Sequence, residues 1–408
     1  MTHIDSRILL TTIVICAGGS FHFGFRLISF NPIESIMKRL LNDTSLRHYH
    51  TELNDQGFRA AWSFTVNLLP IGNIFGTLFT PLVSQRFGRK NSMYITAVMS
   101  MVGSLLSGLA STAESFELYA AGVFVTGLAC GLILSIQPLY LVEISPTQVR
   151  DDIMAEIEME SRPISSKQLF LKPYLRHGFT FGLLAAAGVS FCGISAISSF
   201  STVVLKEAGL SEHNAQYATI AISINSVVAS CISSLITDRL GRRPLLVVGY
   251  ATLTILNTLF MIFSFVSRSY ALMWAGYVCV VIDVSFTFVF GIGPAPLQWY
   301  VMAEMVPQNA RSLAQSWAVI SSAAGLIVVN LMFLSLNGVI YEFAYLVFII
   351  PSFSLAIYFY RKFPETKNKT IIQIMELLSM PPPLSPKARS RTDKLVAVAT
   401  ISGSSEAP

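Results

Sequence analysis

Two short charged patterns each occur twice in the chain, in the same order. Gln85-Arg86-Phe87-Gly88-Arg89-Lys90 is matched by Asp238-Arg239-Leu240-Gly241-Arg242-Arg243. The run from Glu143 to Arg150 is matched by the run from Glu304 to Arg311, and in both copies Pro falls three residues after Glu and Arg seven after. Carboxylates and guanidinium groups at such spacings make and break ion pairs. Covalent chemistry is not expected: no nucleophile converges with a base and an orienting group, and no phosphate loop or metal spacing occurs. The chain therefore reads as a non-enzyme with no cofactor and no metal. Its five cysteines all lie in apolar runs and read as small buried hydrophobes.

The elements that position these patterns are membrane spans. Of 408 residues, 53% are hydrophobic and only 12% charged, against roughly 25% charged in a soluble domain. Mean hydropathy is +0.59. At about 20 apolar residues per crossing, ten spans are expected: 8–30, 60–84, 93–111, 116–141, 178–204, 216–237, 244–267, 270–302, 312–336 and 340–360. The overlong span 270–302 contains Gly291, Gly293, Pro294 and Pro296, which must break or bend it. The runs are continuous, not alternating, which excludes a transmembrane β-barrel.

Lys and Arg set the orientation. With the N-terminus in the cytosol, 21 of the 28 Lys and Arg residues fall on the inside and 6 on the outside, and both termini are cytosolic. The net charge of +5 is then loop charge, and no nucleic-acid partner is implied. The sequon Asn42-Asp43-Thr44 falls in the longest outside loop, where Asn42 would accept a glycan.

The repeat implies a duplicated bundle, but the copies are unequal. Two spans follow Glu304; none separates Glu143 from the charged stretch that ends at 177. The expected organisation is a cytosolic N-terminus (1–7), a four-helix bundle (8–141), a cytoplasmic helical linker (142–177), a six-helix bundle (178–360) and a cytosolic tail (361–408).

These motifs resemble the major facilitator superfamily, sugar-porter branch, close to the facilitative glucose transporters of animals. The resemblance runs over nearly the whole chain. It is carried by Gly19 to Phe25 with Asn31-Pro32, by Arg86 to Ser92, and by Pro138-Leu139-Tyr140 with Glu143 to Arg150. It continues in Asp238 to Arg243, in Gly293-Pro294 with Trp299 and Glu304, and in Phe363-Pro364-Glu365-Thr366-Lys367. The family has twelve helices, and the pair absent here corresponds to its helices 5 and 6. The resemblance implies an all-α, two-bundle fold, here four plus six. It also implies a plasma-membrane protein that carries a hexose or a similar small polar solute by alternating access, as facilitated diffusion. A second reading stays open: a non-transporting form with a regulatory or assembly role.

Hydroxyl recognition in a lipid-buried cavity needs amides and an aromatic face. The candidates are Trp299, Gln298, Asn225, His22, Asn31 and Ser195. The family's paired glutamines on its helix 7 correspond here to Val189-Ser190, and such serines suit close helix packing. The resemblance implies an inter-bundle cytoplasmic gate built from Arg86, Gly88, Arg89, Glu143, Arg150, Asp238, Arg239, Gly241, Arg242, Glu304 and Arg311. Two charges lie inside spans, Arg26 and Asp283. Proton-coupled relatives carry an acid at the position of Arg26, so that coupling route is not expected. Asp283 reads as a structural partner for a charge such as Arg26, with a proton site and a neutral acid as the other readings.

Overall fold

The structure is a computed structural model that describes Leu10, 13–16, 19–50, 54–143, 166–194, 211–270, 272–367 and a few residues beyond. Among the described residues every regular element is a helix. In hydrocarbon a backbone N–H or C=O has no water to bond, and a helix satisfies both groups within one segment.

Helix α1 is Ser20–Thr44, α2 is Asp55–Leu109 and α3 is Phe116–Glu143. After the short α4, Ser166–Leu171, comes α5, Pro173–Val189, which widens into a looser turn at Ser190–Ile194. The second half continues with α6 (Glu212–Leu240), α7 (Arg242–Tyr270), α8 (Met273–Ile292), α9 (Pro294–Met305), α10 (Gln308–Ile340) and α11 (Leu346–Lys362). Eight helical stretches are long and apolar enough to cross a membrane, and the shorter Ile13–Leu27 is also apolar. The longest of the eight, Ala60–Leu109, holds two of the expected spans, joined at the non-helical Gly88. Each of the ten expected spans contains helix among the described residues, with 195–204 of the span 178–204 lying outside them, and the chain is an integral multi-pass membrane protein.

The expected break in the overlong span falls at Gly293, between α8 and α9. Pro294 opens α9 at a position where its missing N–H costs nothing. Pro296 removes the N–H that would have served the Ile292 carbonyl, and Ser233 Oγ of α6 donates to that carbonyl instead at 2.7 Å. A β-carbon on Gly249 of α7 would sit 3.0 Å from the Pro294 ring, so the break is packed tightly against its neighbour.

In the first half, α2 and α3 pack closely along their length. Gly72 and Gly76 lie against the α3 backbone, and Gly131 lies against the Asn73 carbonyl. Small residues let the two backbones approach where apolar attraction between helices is absent. The halves meet where α10 runs along α2 and touches α3. Asn330 Nδ2 there donates to Asn67 Oδ1 at 3.5 Å, and both amides are buried.

One expectation needs correction. The segment 31–44 was assigned to an outside loop, but α1 continues to Thr44. Ile33, Met37, Leu40 and Leu41 recur at helical spacing, and Met37 and Leu41 are buried in the core. The sequon thus sits in the last helical turn. Asn42 Oδ1 is buried, and the Thr44 hydroxyl donates to the Glu114 carbonyl at 3.1 Å and accepts from Phe116 N at 3.2 Å. The chain expressed in glycosylating cells should show no mobility shift on endoglycosidase treatment, and an Asn42→Gln variant should migrate with the parent.

Candidate functional site

The charged cluster of the second half is built from four helix ends. Glu304, in the last turn of α9, accepts from Arg242 at the start of α7, at 3.0 Å from Nε and 2.8 Å from Nη2. Its other oxygen accepts from Thr366 Oγ1 at 2.7 Å. Glu365 caps α7: it accepts from the backbone N–H groups of Arg242 at 3.0 Å and Arg243 at 3.2 Å. A carboxylate at a helix N-terminus meets unpaired N–H groups and the positive end of the dipole. Lys367 Nζ donates to the Arg239 carbonyl at 2.6 Å, and Arg243 reaches the Tyr360 carbonyl. Arg311 is half-buried at the start of α10. Glu365 and Thr366 belong to the tail signature and lie outside the expected gate set. Their position after a helix gave no sign of which helix end they would cap.

The glycines of the duplicated motif have a common reason. Gly88 has φ 74°, ψ 163° and Gly241 has φ 92°, ψ 166°, a region open essentially to glycine alone. They differ in their surroundings. Nothing would meet a β-carbon on Gly88, whereas one on Gly241 would lie 2.9 Å from the Glu365 carboxylate. In the first half Arg86 and Arg89 are exposed, and the Arg86 guanidinium lies 5.8 Å from the Phe87 ring centre. Arg150 lies outside the described residues, as do the side chains of Glu143 and Asp238.

The cavity candidates separate. Gln298 and the half-buried Trp299 follow one turn after the Gly293 break. Gln298 Nε2 donates to the Ala295 carbonyl at 3.2 Å, and its buried Oε1 has no hydrogen-bond partner among the described residues. Asn225 uses its amide between helices, donating to the Val284 carbonyl at 2.8 Å and to Thr287 Oγ1 at 3.0 Å. Ser190 Oγ donates to the Ser322 carbonyl at 2.8 Å, and Gly325 packs against it; this is helix packing. Asn257 Nδ2 donates to the Cys192 carbonyl at 2.8 Å, beside the left-handed Gly193. Ser195 and the Asn31 side chain lie outside the described residues.

His22 belongs elsewhere. It lines a groove of about 500 Å³ in the first half, with Ala97, Ser100, Met101, Ser104, Leu105, Gly108 and Leu109. The intramembrane charges do not meet. Arg26 donates to Ser107 in its own half, while Asp283 is buried on α8 in the other. The expected pairing of Asp283 with Arg26 is therefore not formed. Their helices lie in different bundles, a separation that spacing along the chain does not reveal.

The family described as sugar (and other) transporter matches residues 11–155 and 150–378. The chain belongs to this family. It is a sugar porter of the major facilitator superfamily, not an enzyme. The two matched pieces meet at 150–155, where the sequence reading places the absent helix pair. Among curated relatives, the facilitated glucose transporter member 3 of Ovis aries is 24% identical, with 90% of this chain and 92% of the relative covered. That alignment extends over 456 residues, more than this chain contains, so stretches of the relative have no counterpart here. The corresponding Homo sapiens protein is 24% identical, with 90% and 91% covered. Among solved structures, the inward-open xylose transporter XylE from E. coli has TM-score 0.69 at 16% identity, covering 91% of this chain and 99% of XylE. The proton:xylose symporter XylE bound to 6-bromo-6-deoxy-D-glucose has TM-score 0.70 at 17% identity, covering 92% and 100%.

Two stability outcomes follow for this family member. Gly88→Ala should cost about 1–3 kcal/mol from backbone conformation alone, and Gly241→Ala should cost more, because the new methyl also displaces Glu365. Ser233→Ala should cost about 1–3 kcal/mol by leaving the Ile292 carbonyl unpaired in the membrane. Thermal unfolding of the purified variants in one detergent checks the order and the size.

Proposed function

We propose that the chain carries a hexose-like solute across the plasma membrane by facilitated diffusion and alternating access, with both termini in the cytosol. The observation that carries this reading is Gln298. Its carboxamide oxygen, without a partner among the described residues, belongs to a helix that starts at a break and continues into Trp299, in a member of the sugar transporter family. Broken helices mark solute sites in transporters because they place polar groups at mid-membrane depth. The relatives' names, glucose transporter and xylose symporter, support a sugar as the solute. An arginine at position 26 supports diffusion in place of proton coupling through the first helix.

The Arg242–Glu304–Thr366 contact is the part of the gate held in the second half. In this reading the first-half residues Arg86, Arg89, Glu143 and Arg150 meet it when the cytosolic mouth closes. The family match that breaks at 150–155 supports the absence of a helix pair between Arg150 and the span from 178. On that reading the contact of α10 with α2 carries much of the join between the halves.

The full chain expressed in hexose-transporter-deficient cells should give saturable uptake of labelled hexose. Gln298→Ala should lower that uptake at least tenfold with equal surface labelling, since a lost hydroxyl partner weakens recognition by orders of magnitude. Background-level uptake with the parent chain shown at the surface overturns the reading and favours a non-transporting role.

A further inference from the structure

An arginine inside a membrane needs an anion, and Arg26 has none among the described residues. Among the described residues its guanidinium donates only to Ser107 Oγ, which is itself bonded to the Gly103 carbonyl at 3.0 Å. Arg26 Nε is buried without an acceptor. Two acidic side chains at this end of the bundle are engaged elsewhere: Glu114 pairs with Arg47, and Glu117 pairs with His48 at 3.5 Å and accepts from Ser115 at 2.8 Å. Two more buried polar atoms here have no hydrogen-bond partner among the described residues. His22, one turn before Arg26, has a buried Nδ1 with no partner. Tyr119 of α3, only 2% exposed and within the field of Arg26, has an unpartnered hydroxyl. A fixed positive charge with an unpartnered N–H, joined by two further unpartnered polar atoms, describes a place for anionic oxygen.

One of these groups, His22, lines a groove that is apolar and open. Its lining residues, from Ala97 to Leu109, recur on one face of α2 at three- and four-residue spacing, and twelve residues of helix span about 18 Å. His22 lies on the α1 side of the groove, and Gly108 and Leu109 lie at the end nearest Ser107. A phospholipid has both chemistries in one molecule: a phosphodiester for the charge and an acyl chain for the groove. A second copy of the chain on this face would set two Arg26 side chains together with no carboxylate between them, which Coulomb repulsion in a low dielectric disfavours.

We propose that the groove along Ala97–Leu109 binds one phospholipid, with its phosphodiester as the counter-ion of Arg26 and one acyl chain lying over Ser100, Ser104 and Gly108. The site does not depend on the solute carried, and its test does not use uptake.

Native mass spectrometry of the purified full chain tests it, with dioleoylphosphatidylglycerol and the phosphate-free dioleoylglycerol as probes. The parent should retain one phosphatidylglycerol at concentrations where dioleoylglycerol is not retained. Arg26→Leu should lower that occupancy at least fivefold, and Arg26→Lys should keep more of it than Arg26→Leu. Ser104→Phe, which fills the groove without touching the charge, should lower occupancy as well. Unfolding temperature and elution volume identify any variant that fails to fold; should Arg26→Leu fail, Ser104→Phe decides alone. Parent-like occupancy in the folded variants overturns the proposal, as does equal retention of dioleoylglycerol. A Ser104→Cys variant that cross-links to a second copy in place of lipid also overturns it.

Discussion

Hydrocarbon offers the backbone no hydrogen-bond partner, and every feature of this fold answers to that constraint. The spans are long helices because a helix closes its own bonds. At two departures among the described residues, another group takes over the freed carbonyl. At the Gly293 break, Ser233 replaces the N–H that Pro296 lacks. At the loose turn around Gly193, Asn257 donates to the Cys192 carbonyl. Both substitutes are side chains of neighbouring helices, so the irregular backbone that gives Gln298 its setting exists only because α6 and α7 are packed against it.

The charges obey a related rule. A charged side chain in or near lipid must meet a partner, water or a headgroup. In the second half the partners are drawn from four helix ends, with Glu304 between Arg242 and Thr366, and Glu365 capping α7. The contact ties the starts and ends of α7, α9 and α11 together, so movement of one helix is felt by the others. A duplicated Arg-rich turn therefore has a mechanical role beyond topology: its glycine admits the sharp bend that brings a helix N-terminus up to Glu365.

The unequal halves show what packing loses when helices are few. Helix α1 leans chiefly on α3, and a groove opens between His22 and the far part of α2. The crossing stretch of α6, Ile220–Thr237, is the least buried of the membrane-length helices. What joins the halves is α10 lying along α2, with the buried Asn67–Asn330 contact inside that seam.

Much of this was legible in the sequence. Apolar runs of about 20 residues have one stable solution in a bilayer, so the helices and the break near Gly293 were readable, whereas the conformation that requires glycine at 88 and 241 came from the structure. The repeated motifs and the tail signature pointed to the family before any fold was known. Other features were settled only by tertiary structure. Charges interrupt the periodicity in 33–41, and burial of Met37 and Leu41 holds that segment as helix. Asn225 and Gln298 have the same amide chemistry, yet one bonds across to α8 and the other keeps an oxygen without a partner among the described residues. Arg26 and Asp283 looked like natural partners, but they belong to different bundles. Residue type fixes what bonds a group needs; only the packing of helices distant in sequence decides which neighbour supplies them.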